Sequence, residues 1–326
     1  MSVFPIPVID IGGLRSQQLE ERQAVALKIR QAAHTVGFFY ITNHGIANQV
    51  IARIFAETKR FFNLPLAVKN RVAIAHSPIS RGYEPIGHQT LDTTAAPDLK
   101  EGFYIGVERN ADDLLVQAGI PNHGPNQWPA DLPDWRDQME QYFGLMMDLS
   151  RQLLRGLALS LEVEESYFDP MVDNPMAILR LLHYPPHPAS AQPDQLGCGI
   201  HTDWGALTIL LQDSVGGLEV RTADGAWVQA TPIPGTFVIN LGDMMARWTN
   251  DYYQSTPHRV MNHSGKERYS LPFFFDANYH ARVECIPTCQ DAANPSRYPP
   301  ITAGEHIMQM YRRTYGLVVR GEKSEQ

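Results

Sequence analysis

Residues 198–213 read Cys-Gly-Ile-His-Thr-Asp-Trp-Gly-Ala-Leu-Thr-Ile-Leu-Leu-Gln-Asp. Two short strands are expected here, Cys198–His201 and Leu207–Asp213. Side chains alternate between the faces of a strand, so His201 and Asp203 point the same way if the extended geometry persists between them. Ile200 and Thr202 then take the opposite face. The strand signal recurs at Ala177–Tyr184, Leu218–Arg221, Trp227–Ala230, Thr236–Leu241, His258–Met261 and Ser270–Asn278. Turn residues separate these runs, among them Pro185-Pro186, Gly216-Gly217, Asp224-Gly225 and Pro234-Gly235. About eight short strands with regular turns predict an all-β barrel or jelly roll.

Outside this region the pattern mixes helix and strand. Leu19–Val36 carries Val25, Ile29 and Val36 on one helical face, with Gly37 as a C-terminal stop. Asn48–Phe62 and Trp135–Leu161 also have helical period, the second long enough to be a spine against the core. Ala303–Tyr315 is expected to be helical, with Thr302 and Glu305 at capping-box spacing. Short strands are expected at Pro7–Ile11, Phe38–Ile41 and Lys100–Ile105. The Gly- and Pro-rich stretches 81–97 and 110–133 read as loop, and the polar tail 319–326 as frayed. The expected fold is mainly β with flanking helices around a barrel or jelly-roll core. It divides into an N-terminal α/β region (1–120), a connecting loop and spine helix (121–175), the core (176–290), and a C-terminal helix and tail (291–326).

The chain has 326 residues, 44% hydrophobic and 19% charged, which is ample for a large core. Its formal net charge is −8 and no run of Lys or Arg suggests nucleic-acid binding. A small anionic substrate would need a local positive site, because the overall field does not attract it. Three cysteines without a CxxC pair fit a reducing compartment. No signal-peptide pattern opens the chain, and no stretch approaches the ~18 apolar residues of a membrane span. A soluble cytoplasmic protein acting on a small molecule is expected, with no nucleic-acid or membrane partner.

H-x-D alone is a weak pointer to metal in a chain with twelve histidines. Its context strengthens it: His258 begins a strand that could return to the same face, and Arg268 and Ser270 follow two residues apart. Two imidazoles and one carboxylate form a facial triad for non-haem Fe(II), leaving positions open for oxygen and a chelating ligand. Zinc is the chemical runner-up, and His263 and His280 compete with His258. Arg268 and Ser270 share a strand face. A planar guanidinium fork with a neighbouring hydroxyl suits a carboxylate, and Leu271–Phe275 offers no local acid. Trp204, Phe103 and Phe275 each adjoin an assigned element and are candidate walls of a substrate pocket.

Longer blocks carry a resemblance. Val36-Gly37-Phe38-Phe39-Tyr40-Ile41-Thr42-Asn43-His44-Gly45, Asp98-Leu99-Lys100-Glu101-Gly102-Phe103, Asn240-Leu241-Gly242-Asp243-Met244 and Ser255-Thr256-Pro257-His258-Arg259-Val260 are the most specific. With His201-Thr202-Asp203 and Arg268-Tyr269-Ser270, they make the chain resemble the Fe(II)- and 2-oxoglutarate-dependent oxygenases, in the branch with isopenicillin N synthase. The resemblance implies a double-stranded β-helix (jelly-roll) core with iron on His201, Asp203 and His258. It implies 2-oxoglutarate as cosubstrate, its distal carboxylate on Arg268, Ser270 and Tyr184, with O2 as oxidant. Many relatives carry Asn where this chain has Leu182, so one polar contact near the cosubstrate is missing. The implied activity is oxidation of a small organic molecule with release of succinate and CO2. Two alternatives share these residues: an oxidative cyclase using O2 without 2-oxoglutarate, and a non-catalytic metal-binding barrel or sensor.

Overall fold

The structure, a computed structural model, describes residues 6–90, 96–187 and 195–315; the 319–326 tail lies outside them. Its strands are β1 (Val8–Asp10), β2 (Phe38–Thr42), β3 (Gly82–Glu84), β4 (Glu101–Gly106), β5 (Met176–Tyr184) and β6 (Cys198–His201). They continue with β7 (Leu207–Gln212), β8 (Leu218–Arg221), β9 (Trp227–Gln229), β10 (Phe237–Leu241), β11 (His258–Val260), β12 (Arg268–Asp276), β13 (Arg282–Val283) and β14 (Ile301–Thr302). Eight of them form one sheet in the order β1-β2-β10-β7-β12-β5-β4-β3, and four form a second in the order β6-β11-β8-β9. Strands from before residue 107 therefore extend the same sheet that holds the core strands.

Strand alternation sorts the side chains into two layers. On one face of the large sheet Phe39, Leu179, Ile209, Ile239 and Phe273 join the main core under the helices. The Trp135–Ser160 helix supplies Met139, Met146, Leu149, Leu153 and Leu157 to it, all at most 3% exposed. On the other face Phe38, Leu182, Leu210 and Val238 meet Cys198, Leu218 and Val260 of the small sheet. The two sheets thus enclose an inner layer of their own, the jelly-roll arrangement. The three cysteines are unpaired. No helix among the described residues is long and apolar enough to cross a membrane.

Expected and observed elements differ mainly at their ends, by one or two residues. Several short ones were not expected, among them β3, the helical turns Leu66–Lys69 and Leu114–Gln117, and the strand pair Arg282–Val283 with Ile301–Thr302. β3 lies inside the stretch read as loop, where three residues give too little alternation to register. Asp243 opens a six-residue helix, Asp243–Trp248.

Candidate active site

His201 ends β6, and His258 begins β11 directly opposite it in antiparallel register. Their rings lie 4.2 Å apart between centroids. Asp203 follows two residues beyond His201, with Oδ1 at 3.9 Å from His201 Nε2 and 3.8 Å from His258 Nε2. One ligand atom from each of the three lies within 4.8 Å of the others, and this is the one such cluster among the described residues. His263 and His280 are not part of it.

Hydrogen bonds aim these groups. His201 Nδ1 meets the Gly199 carbonyl at 2.8 Å, and His258 Nδ1 meets the Thr256 carbonyl at 3.1 Å. A carbonyl only accepts, so each Nδ1 carries the proton and each Nε2 keeps a free lone pair facing Asp203. Thr208 Oγ1 and Asn240 Nδ2 donate to Asp203 Oδ2 at 2.5 and 2.6 Å, leaving Oδ1 for the centre. Gly242 permits the close approach behind them: a Cβ there would stand 2.6 Å from the Asp203 carbonyl oxygen. Asp243 takes hydrogen bonds from Thr202 and Ser255, and its N–H donates to the Asp203 carbonyl. It props the ligand loop and stays outside the cluster.

Burial lowers the His201 pKa and, with repulsion from His201, brings His258 down to about 4, so both rings are neutral at physiological pH. Burial pushes the Asp203 carboxyl up. His258, His201 and the hydrogen bonds from Thr208 and Asn240 outweigh it and leave the pKa low. Two neutral imidazoles and an ionised carboxylate, each with a lone pair turned to one point, are a donor set for a divalent metal.

A cavity of about 60 Å³ opens on this cluster from between the sheets, with Arg268, Ser270 and Tyr184 in its wall. Arg268 is 1% exposed and lies opposite Tyr184 in register, its guanidinium carbon 4.7 Å from the Tyr184 ring centroid. Nη1 donates to Ser270 Oγ at 3.1 Å, and Nε has no partner. Among the described residues no carboxylate lies within 4.0 Å of it. A buried guanidinium without a counter-ion fits an anionic ligand. Leu182 faces Ser270 and lines the same cavity. So does Lys100, which is paired with Asp98 and sits 3.4 Å from Cys198 Sγ.

A second cavity, of about 130 Å³, reaches the cluster from the outside, and His201 and Asp203 line both. Trp204 is in its wall. Phe103 and Phe275 are not, which corrects the sequence expectation. Each is fully buried under the helices, Phe103 with its ring 4.6 Å from Phe61 and 5.1 Å from Trp135. The cause is strand parity: Arg268 and Ser270 face the cavities, so Phe274 does too and Phe275 cannot. On β4 the same rule exposes Tyr104 to the cavity in place of Phe103. Asp276 also lines the cavity. It accepts the Ala206 N–H at 2.8 Å, and burial raises its pKa to about 7.

Thr208 and Asn240, which hold Asp203, were missed, as was Arg81, which lines the outer cavity. A signal existed for two of them: a polar residue inside an otherwise apolar strand needs a buried partner.

Comparison with known proteins agrees with this arrangement. Residues 6–131 match the family described as non-haem dioxygenase in morphine synthesis N-terminal, and residues 175–277 match the 2OG-Fe(II) oxygenase superfamily. The chain is 41% identical over 316 residues to the 2-oxoglutarate-Fe(II) type oxidoreductase hxnY of Emericella nidulans, spanning 95% of this chain and 90% of that one. It is 35% identical over 318 residues to a homoarginine-6-hydroxylase of Oryza sativa subsp. japonica, spanning 93% and 95%. The crystal structure of a full-length Neurospora crassa protein in complex with alpha-KG and thymine superposes with a TM-score of 0.84 at 33% identity, covering 95% of this chain and 97% of that one. The chain belongs to the 2OG-Fe(II) oxygenase superfamily and is an Fe(II)- and 2-oxoglutarate-dependent dioxygenase.

Proposed function

We propose that His201, Asp203 and His258 hold the Fe(II). Arg268, Ser270 and Tyr184 bind the distal carboxylate of 2-oxoglutarate, and a small organic substrate is oxidised in the outer cavity beside Trp204. The observation that carries this reading is Arg268, a buried guanidinium with no carboxylate partner among the described residues, in the cavity that ends on His201, Asp203 and His258. Bound together, iron and 2-oxoglutarate supply the oxidising chemistry, with O2 consumed and succinate and CO2 released.

The chain's own residues supply the rest. The neutral imidazoles and the carboxylate offer three donors from one side. Thr208 and Asn240 fix which carboxylate oxygen is offered. The Arg268 fork and the Ser270 hydroxyl orient a dicarboxylate along the inner cavity. Phe38, Leu210 and Val260 wall that cavity with hydrocarbon and exclude water. The two cavities share His201, Asp203, Arg180 and Phe274 in their walls, so cosubstrate and substrate meet at the cluster from separate cavities.

The test is an anaerobic titration of the Fe(II) protein with 2-oxoglutarate, read by the weak visible charge-transfer band of the chelate. Arg268→Ala should weaken 2-oxoglutarate binding by tens- to thousands-fold, since losing a buried charge-assisted pair costs about 2–5 kcal/mol. Fe(II) binding should be nearly unchanged, and Arg268→Lys should rescue in part, having no planar fork. Substrate-dependent oxygen uptake without conversion of 2-oxoglutarate to succinate would overturn the assignment in favour of an oxidative cyclase.

A further inference from the structure

We propose that the primary substrate carries a carboxylate and that Arg81 receives it in the outer cavity. This deepens the reading of that cavity as the substrate site and rests on it.

Arg81 immediately precedes β3 and is 3% exposed, yet it lines the outer cavity. Its place is made by an absence on β4. Tyr104 and Gly106 share the cavity face of that strand, and Gly106 projects nothing. A Cβ there would stand 2.1 Å from Arg81 Nη2 and 2.4 Å from Cζ. The guanidinium therefore lies against the Gly106 backbone, in the volume a side chain would fill.

Its hydrogen bonds do not neutralise it. Nη1 donates to the Ile79 carbonyl at 3.1 Å and Nη2 to the Asn122 carbonyl at 2.8 Å, while Nε has no partner. Among the described residues no carboxylate lies within 4.0 Å of Arg81. The other arginines of the wall differ in this. Arg109 pairs with Asp113 at 2.7 Å, and Arg180 pairs with Glu84 at 3.4 Å. Glu108, whose field reaches Arg81, is held by Trp128 Nε1 and Asn126 Nδ2, each at 3.0 Å.

An uncompensated buried charge is strongly unfavourable. Burial depresses the Arg81 pKa against only weak attraction from Tyr311 and Glu108. Among the described residues no counter-ion meets Arg81, and Arg81 lines the cavity, so the ligand brings one. A carboxylate suits the planar fork. The chain's net charge of −8 gives no long-range help to an anion, so a local cation is what such a substrate requires. Aromatic rings of Tyr104, Trp204 and Tyr311 form the adjoining walls. The substrate class that fits is a flat, largely apolar monocarboxylate.

The probes are benzoate and its neutral isostere benzamide, titrated calorimetrically into the anaerobic Fe(II) protein saturated with 2-oxoglutarate, so that the Arg268 socket is filled. Benzoate should bind at least about tenfold tighter than benzamide, the lower end of what a buried charge-assisted pair gives. Arg81→Met should erase that preference while leaving 2-oxoglutarate affinity unchanged, and Arg81→Lys should keep part of it. Benzoate binding no tighter than benzamide in the unaltered protein, or no binding of either, overturns the proposal without any variant having to fold. A preference that survives in Arg81→Met overturns it too. If 2-oxoglutarate itself fails to bind, the assignment of the inner cavity is wrong, and that failure is read separately in the same cell.

Discussion

Asn240 Nδ2 donates to Asp203 Oδ2 at 2.6 Å, from the middle of the large sheet to the loop beyond β6. The same oxygen takes the Thr208 hydroxyl. One carboxylate oxygen is thus occupied and the other is presented. Groups that orient a metal ligand in this way typically contribute about 10–100-fold in metal affinity. Asn240→Ala should weaken anaerobic Fe(II) or Co(II) binding by about that factor, and Asn240→Asp by more, because it sets two carboxylates side by side. Unchanged affinity in Asn240→Ala, measured by calorimetry, would mean that Thr208 alone suffices.

Phe274 and Phe275 should separate function from stability. Phe274 lines both cavities, whereas Phe275 is wholly buried beneath the helices. Phe275→Ala should cost about 3–5 kcal/mol of unfolding free energy, the usual loss for a buried aromatic. Phe274→Ala should cost less and instead raise the KM for substrate. Urea melts and steady-state kinetics on the two variants check this; the reverse pattern would show that the strand is read in the wrong register.

Lys100 and Asp98 form an ion pair whose side chains are each 2% exposed. The second oxygen of Asp98 accepts the Gly199 N–H at 2.9 Å, on the strand that ends in His201. Removing one partner of such a pair leaves a bare buried charge and costs about 3–5 kcal/mol. Lys100→Met should therefore be destabilising by that amount, and Asp98→Asn combined with Lys100→Met by much less than the sum of the single changes. Strict additivity in a double-mutant cycle would show that the two charges do not depend on each other.

Asp276 gives a pH signature. Burial keeps it protonated in the folded chain up to about pH 7, while an unfolded aspartate ionises near pH ~4. Between those values the folded state binds the extra proton, so stability falls as pH rises. The advantage is whole below pH ~4 and is lost once pH has risen through about 7. Asp276→Asn keeps an acceptor for the Ala206 N–H and does not titrate. Wild type should lose stability relative to this variant across that window, measured by urea unfolding at half-unit steps. Parallel curves would refute the raised pKa.

Much of this was legible in the chain, and the failures share one cause. His201, Asp203 and His258 were readable because a period of two and one long return suffice to bring them together. The order Arg268–Ser270 was readable for the same reason. Phe103 and Phe275 failed because they were chosen for adjacency to assigned elements, when the parity of Arg268 already excluded Phe275. Arg81 was invisible for a different reason. Its significance lies in what is absent around it among the described residues, a carboxylate within reach and a side chain at position 106, and an absence in space leaves no pattern along a sequence. The Asp243–Trp248 helix was hidden by its shortness and by the Gly242 that precedes it.

The antiparallel register of His258 against His201 has a consequence beyond catalysis. Both imidazoles belong to the small sheet, whereas the carboxylate that completes the set is tethered by Thr208 and Asn240 to β7 and β10 of the large one. A metal held by all three would rivet the two sheets to each other. Its binding free energy then counts towards folding, about 2.7 kcal/mol when free metal is roughly a hundredfold above the dissociation constant. Under iron starvation the cell would not keep a reserve of idle, intact enzyme. It would keep a looser one, quicker to unfold and to be degraded, so that iron supply governs how much of this protein persists as well as how fast it works.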